Sequence, residues 1–184
     1  MIELTKRSLP NVIRLMGRDF SVYTDFRVWM RFAIEVRKIR GSEGIDVSYL
    51  FKNDMPAHCD LRPLLEFAFP KKEIPRAIGG GSDAVLIDYE IDADLIYAAF
   101  MGQYGIDLLT TDMHWYVFQA LLSGLNDSTK LREVMGYRAY TPHNNDKKTD
   151  QYERLRVAWE IVYETPEEEA ETQAFLAKFE KRGT

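Results

Sequence analysis

Four carboxylates alternate along Asp88-Tyr89-Glu90-Ile91-Asp92-Ala93-Asp94, a pattern that a metal site or an acid–base pair could use. A calcium loop would also need glycine at its sixth position and glutamate at its twelfth, and neither is present. Asp92 and Asp94 fit better as the N-cap and first-turn acid of a following helix, with Asp88 and Glu90 in a loop. The histidines are His58, His114 and His143. His58 is adjacent to Cys59, so at a helix start the two side chains would diverge by roughly 100° and could not easily share one ion. His114 precedes Trp115 and reads as a packing residue, while His143 falls in a loop. Cys59 is the only cysteine, which excludes an internal disulfide and a cysteine zinc cluster. Neither a Gly-x-Ser-x-Gly elbow nor a His-Glu-x-x-His pair occurs. Gly79-Gly80-Gly81-Ser82 lacks the Lys-Ser/Thr of a phosphate loop, and no helix pattern opens behind it. The expectation is a protein without catalytic residues, metal or cofactor.

Charge is more informative than chemistry. Ala77 to Thr129 contains no Lys or Arg, yet holds eight acids and seven aromatics, Tyr89, Tyr97, Phe100, Tyr104, Trp115, Tyr116 and Phe118. Residues 1–40 carry nine cations against four acids, so the net charge of −5 hides a charge-separated molecule. Such separation suits contact with other proteins better than with phosphate backbones. The cations Arg27, Arg31, Arg37, Lys38 and Arg40 beside Trp29 and Phe32 leave nucleic-acid association as the alternative reading. A solvated helix face accounts for them more simply.

Those residues need elements to hold them. The 184 residues, 46% hydrophobic, suit one compact domain. No leader-like apolar stretch opens the chain, and no run approaches the ~18 residues of a membrane span, so a cytoplasmic, non-membrane protein is expected. Val12–Leu15 and Phe20–Tyr23 alternate as a hairpin, with Met16–Asp19 as its turn and Gly17 free to take positive φ. Thr24 or Asp25 caps a helix with Phe26, Trp29, Met30, Ala33, Ile34 and Arg37 on one face and Arg27, Arg31, Glu35 and Lys38 on the other. Shorter helices are expected at Asp46–Lys52 and Cys59–Phe69, the latter with Pro63 in its first turn. A flexible linker follows at about 71–87. Asp92 caps a helix over Ala93–Tyr104 that is apolar nearly all round and stops at Gly105. Thr111-Asp112 caps Met113–Leu125, and these two helices are read as the core. A short piece follows at Ser128–Met135, then a loop over Tyr140–Asn145. Tyr152, Leu155, Trp159 and Val162 or Tyr163 form another stripe. Thr165-Pro166-Glu167-Glu168 reads as a capping box opening a C-terminal helix, 165–184, with Ala170, Ala174, Phe175 and Phe179 on its thin apolar face. The fold class is therefore mainly α: a helical domain over 1–164 with an N-terminal hairpin and a C-terminal helix that packs or serves as an arm.

The run from Tyr89 to Leu108 closely resembles the signature of a siphophage tail-region family, the one named after the fifteenth gene product of a Gram-positive phage. Thr24–Trp29 looks like its N-terminal motif, His114–Leu125 like its second core helix, and Met135-Gly136-Tyr137-Arg138 like the segment after it. The likeness spans about Asp19 to Tyr163. Members typically lie between the tail-tube gene and the tape-measure gene, the position of tail assembly chaperones. Resemblance therefore implies a non-enzymatic chaperone-like protein that binds the tape measure and the major tail tube protein in the cytoplasm of the infected host, and is absent from the mature virion. A homo-oligomer is expected, because a basic front and an acidic back permit head-to-tail contacts. The expected contact joins Arg27, Arg31 and Lys38 of one copy to Asp88, Glu90 and Asp107 of the next, with Phe175 and Phe179 as further partner-binding residues.

Overall fold

The computed structural model describes residues 2–39, 44–56, 59–70, 85–141 and 149–163, together with Thr165 and Glu168. Its order is a β-hairpin followed by six α-helices with one 3₁₀ turn among them, a mainly α fold as expected. None of the described helices is long and apolar enough to cross a membrane.

Strand β1 (Val12–Leu15) pairs antiparallel with β2 (Arg18–Ser21), in the register Val12↔Ser21 to Leu15↔Arg18. The turn is tighter than the sequence suggests. Arg18 and Asp19 join the ladder, which leaves Met16 and Gly17 as a two-residue turn with φ of 48° and 78°. Positive φ at both central residues matches the right-handed twist of the strands. Ile13, Leu15 and Phe20 face inward. Beyond β2, Tyr23 N–H donates to Leu50 O at 2.9 Å and Lys52 N–H to Ser21 O at 3.0 Å. That pairing overrides the helix expected at Asp46–Lys52. Only a 3₁₀ turn at Ser48–Leu50 forms, and Phe51 is drawn into an extended bridge with Val22.

Helix α1 (Phe26–Lys38) is capped by Asp25, whose side chain accepts from Arg27 N–H. It buries Phe26, Trp29, Phe32 and Ala33, so Phe32 belongs to the core face that periodicity alone had not given it. Helix α2 (Leu61–Ala68) starts two residues later than expected, on the Asp60 cap, and keeps Pro63 in its first turn. Its Phe67 ring packs 4.4 Å from Trp29.

Helix α3 (Ala93–Tyr104) ends at Gly105 with φ of 66°, as predicted. Only Ile96, Ala99 and Phe100 are buried in it, so the expected all-round burial is not met. Helix α4 (Trp115–Ser123) begins two residues after the expected start. Thr110 and Thr111 N–H groups are turned back onto Asp107 O, which removes Thr111-Asp112 as the cap. Helix α5 (Lys130–Arg138) runs through Gly136 instead of stopping there, and α6 (Thr149–Ala158) packs on it.

Phe118 is the hub of the core. Its ring stacks on Phe26 at 4.9 Å, Phe100 at 5.1 Å and Trp115 at 5.7 Å. The core thus joins α1, α3 and α4, with α2 and the hairpin around them, and is not the α3–α4 pair alone. Each buried aromatic contributes roughly 1.5–3 kcal/mol. Residues 71–84 of the expected linker, with its glycine run, and the expected partner residues Phe175 and Phe179 lie outside the described residues.

Candidate functional site: a groove of mixed polarity beside a buried ion-pair node

The acids before α3 are structural. Asp88 and Asp92 are each only 2% exposed and Arg138 5%. Asp92 occupies the N-cap position, but its carboxylate makes no cap hydrogen bond. It accepts instead from Arg138 Nη1 at 2.7 Å and Nη2 at 2.9 Å, and from Asp88 N–H at 2.9 Å. The same guanidinium donates to Leu86 O at 3.0 Å and Trp159 O at 2.7 Å. Asp88 accepts from Glu90 and Ile91 N–H groups, from the Tyr163 hydroxyl at 3.1 Å and from Arg37 Nη1. Arg37 also stacks on the Tyr163 ring. Two arginines from distant helices thus clamp the segment 85–92 and the strap 159–163 together. A forked guanidinium on a buried carboxylate is both strong and directional.

These pairs redraw the expected docking surface. Lys38 Nζ meets Glu90 at 2.8 Å within one chain, and Arg37 Nη2 meets it at 3.3 Å. Lys38 foremost, then Arg37, holds the Glu90 carboxyl below its usual range. Arg27 pairs with Asp25 at 3.0 Å and donates to Leu108 O and Thr111 O, which staples α1 to the loop before α4. Arg31 pairs with Glu35 at 2.7 Å and lies over the Tyr49 ring, whose hydroxyl donates to Glu35. Burial and then the Glu35 contact raise that phenol's pKa. Asp107 accepts from Leu109 N–H at 2.9 Å in its own turn. The cations expected to reach a neighbouring copy are therefore matched inside the chain.

Sequence reasoning missed Arg138 as a core residue. The available signal was its position, because Leu131, Val134 and Arg138 follow i, i+3, i+7, where the period calls for an apolar side chain. His114 is half-buried and packs against the Phe67 and Tyr116 rings, as read from the sequence, and it has a further role as the N-cap of α4: Nδ1 accepts from Tyr116 N–H at 3.0 Å, and the opposite ring nitrogen contacts Pro10 O at 2.9 Å. That arrangement fixes the neutral tautomer with the proton on Nε2. Burial pushes its pKa down. No cluster of three or more His, Cys, Asp or Glu able to hold a metal ion occurs among the described residues.

The surface not accounted for lies on the outward side of α3. Leu95, Ala98, Ala99 and Gly102, at i, i+3, i+4 and i+7, line a groove of about 490 Å³ whose other wall is Asn126, Ser128, Thr129 and Lys130. Gln103 holds that wall in place, donating to Gly124 O at 3.1 Å and accepting from Asn126 N–H at 2.7 Å. Ile91 before the helix and Met101 within it are exposed as well, outside the groove lining. Gly102 stands out. It is helical, and a Cβ built there would meet nothing within 4 Å among the described residues. A mid-helix glycine costs roughly 0.5–1 kcal/mol relative to alanine, and neither backbone geometry nor packing in this chain requires one here.

The chain belongs to the bacteriophage Gp15 protein family, whose model matches residues 42–163. That span contains the node's Asp88, Asp92, Arg138 and Tyr163 and the whole groove; the Thr24–Trp29 block and the C-terminal segment lie outside it. Comparison with curated proteins and with solved structures gave no match.

Proposed function

We propose that this phage protein is a non-enzymatic tail assembly chaperone-like factor. It holds a helical segment of the tape measure protein in the α3 groove while major tail tube subunits assemble. Several copies line one client in the host cytoplasm and leave before the virion is complete. Gly102 carries the reading: an otherwise costly glycine lining an open groove with one apolar and one polar wall is explained by close backbone approach of a partner helix. Ala98, Ala99 and Gly102 beside Leu95 leave room for an amphipathic helix to approach, and a tape measure is expected to be a long one. Internal pairing of Arg27, Arg31, Arg37 and Lys38 favours a protein client over a phosphate backbone.

Co-expression with the tape measure protein tests this. The wild-type chain is expected to co-purify with it and to be missing from finished particles. Gly102→Leu is expected to lower capture about tenfold or more by filling the groove while leaving the unfolding midpoint near that of the wild type. Failure of the wild type to capture the tape measure would end the chaperone reading. Undiminished capture by Gly102→Leu would move the site elsewhere on the molecule.

A further inference from the structure

Among the described residues, α6 is the helix that the chain itself buries least. No side chain described in it is buried, whereas each of α1 to α5 buries at least three. Its inner side rests on α5 through Tyr152, whose ring lies 6.1 Å from that of Tyr137 and 5.1 Å from that of Tyr140. A helix of ten residues is marginal on its own in water, so α6 gains from whatever covers it. Its outward side is a shallow groove lined by Asp150, Glu153, Arg154, Arg156, Val157 and Ala158, with Val157 63% exposed. Asp150, Glu153, Arg154, Val157 and Ala158 fall at i, i+3, i+4, i+7 and i+8, which makes them a single stripe. The charges of that stripe are unspent. Asp150, Glu153 and Arg154 form no ion pair among the described residues, unlike the cations of α1.

We infer that this stripe is a dimer interface, on which α6 of a second copy of the chain packs antiparallel about a two-fold axis. Charge order selects both the partner and the direction. Along the stripe the acids Asp150 and Glu153 come first, then Arg154, then the apolar Val157 and Ala158. Parallel pairing in register sets each acid on its own equivalent and Arg154 on Arg154. Antiparallel pairing, with the axis between positions 153 and 154, sets Glu153 of each copy on Arg154 of the other. Symmetry makes that contact twice, so the surface is complementary to itself. Val157 then packs beside the methylene stems of Glu153 and Arg154 of the other copy. The interface replaces the one expected of the α1 cations, which are paired within the chain. It shares no lining residue with the α3 groove and stands apart from the client reading.

Sedimentation velocity on the full chain, with no client present, tests it. The wild type is expected to sediment as a dimer that dissociates on dilution. Arg154→Glu and Glu153→Arg are each expected to raise the dimer dissociation constant about tenfold or more, because each sets like charges together twice. Circular dichroism is expected to show both variants still folded. Mixed in equal amounts, the two variants are expected to pair with each other, since two acids of one chain then face two cations of the other. A wild-type chain that is monomeric at every concentration would overturn the inference, by showing α6 covered within its own chain or left open. A dimer indifferent to both substitutions would also overturn it, as would a mixture that stays monomeric. None of these results touches the α3 reading, which is tested by capture of the client.

Discussion

The node sits at the start of α3 and the groove runs along the helix, and the two follow opposite rules. At the start of α3, Asp92 and Asp88 are met by Arg138, Arg37, Tyr163 and backbone N–H groups, so nearly every polar atom there is spent on the chain itself. Along its outward side, Ala98 and Gly102 stand exposed at the groove, and a Cβ at Gly102 would meet nothing within 4 Å among the described residues. The contrast separates two jobs that net charge had merged. Ionic groups fix the architecture, and the surface they leave uncommitted is where the proposed client would bind.

Three experiments sharpen or break that division. Arg138→Ala should have the largest effect, a loss of about 3–5 kcal/mol in urea unfolding, because it strands a buried carboxylate. The paired change Arg138→Met with Asp92→Leu should recover much of it. A cost below about 1 kcal/mol would mean that the node does not hold the fold. Next comes His114→Ala, which removes an N-cap worth about 1 kcal/mol. Its pH dependence has a definite sign. The folded-state pKa is depressed by burial, so the native form binds fewer protons than the unfolded one in the acid window. The stabilisation is complete above the unfolded value near 6.5 and is lost as pH falls through the folded value, when Nδ1 becomes a donor facing Tyr116 N–H. Unfolding midpoints of wild type and His114→Ala should therefore converge below pH 6.5, and parallel curves would refute the neutral-cap assignment. Smallest is Gly102→Ala, expected to raise stability by roughly 0.5–1 kcal/mol. A destabilising result would show that the glycine serves the fold and not the groove.

Local signals were read well, and long-range ones were not. Thr165-x-x-Glu168, the Gly105 stop and the Gly17 turn each depend on a few neighbouring residues, and each forms as expected. The 46–52 helix failed because its backbone found partners near Ser21–Tyr23, about thirty positions away. The node failed for the same reason. Arg138 and Asp92 are 46 residues apart, and Arg37 and Asp88 are 51 apart, so no window along the chain contains either pair. Both arginines still left a trace by occupying positions on apolar stripes. Of the expected site residues, the charged ones were legible as charged, but the intramolecular partners that consume them were not.

Trp29 and Trp115 are sealed, with their indole N–H groups donated to Tyr23 O at 2.6 Å and Ala68 O at 2.8 Å. Trp159, the third and last tryptophan, is only half-buried. Its carbonyl receives Arg138, and its ring lies 5.5 Å from the ammonium of Lys130 on the groove wall. Two indoles thus give a constant emission background, and one sits where strap, clamp and groove meet. Emission from Trp159 would therefore report the proposed client settling on this wall without an attached dye.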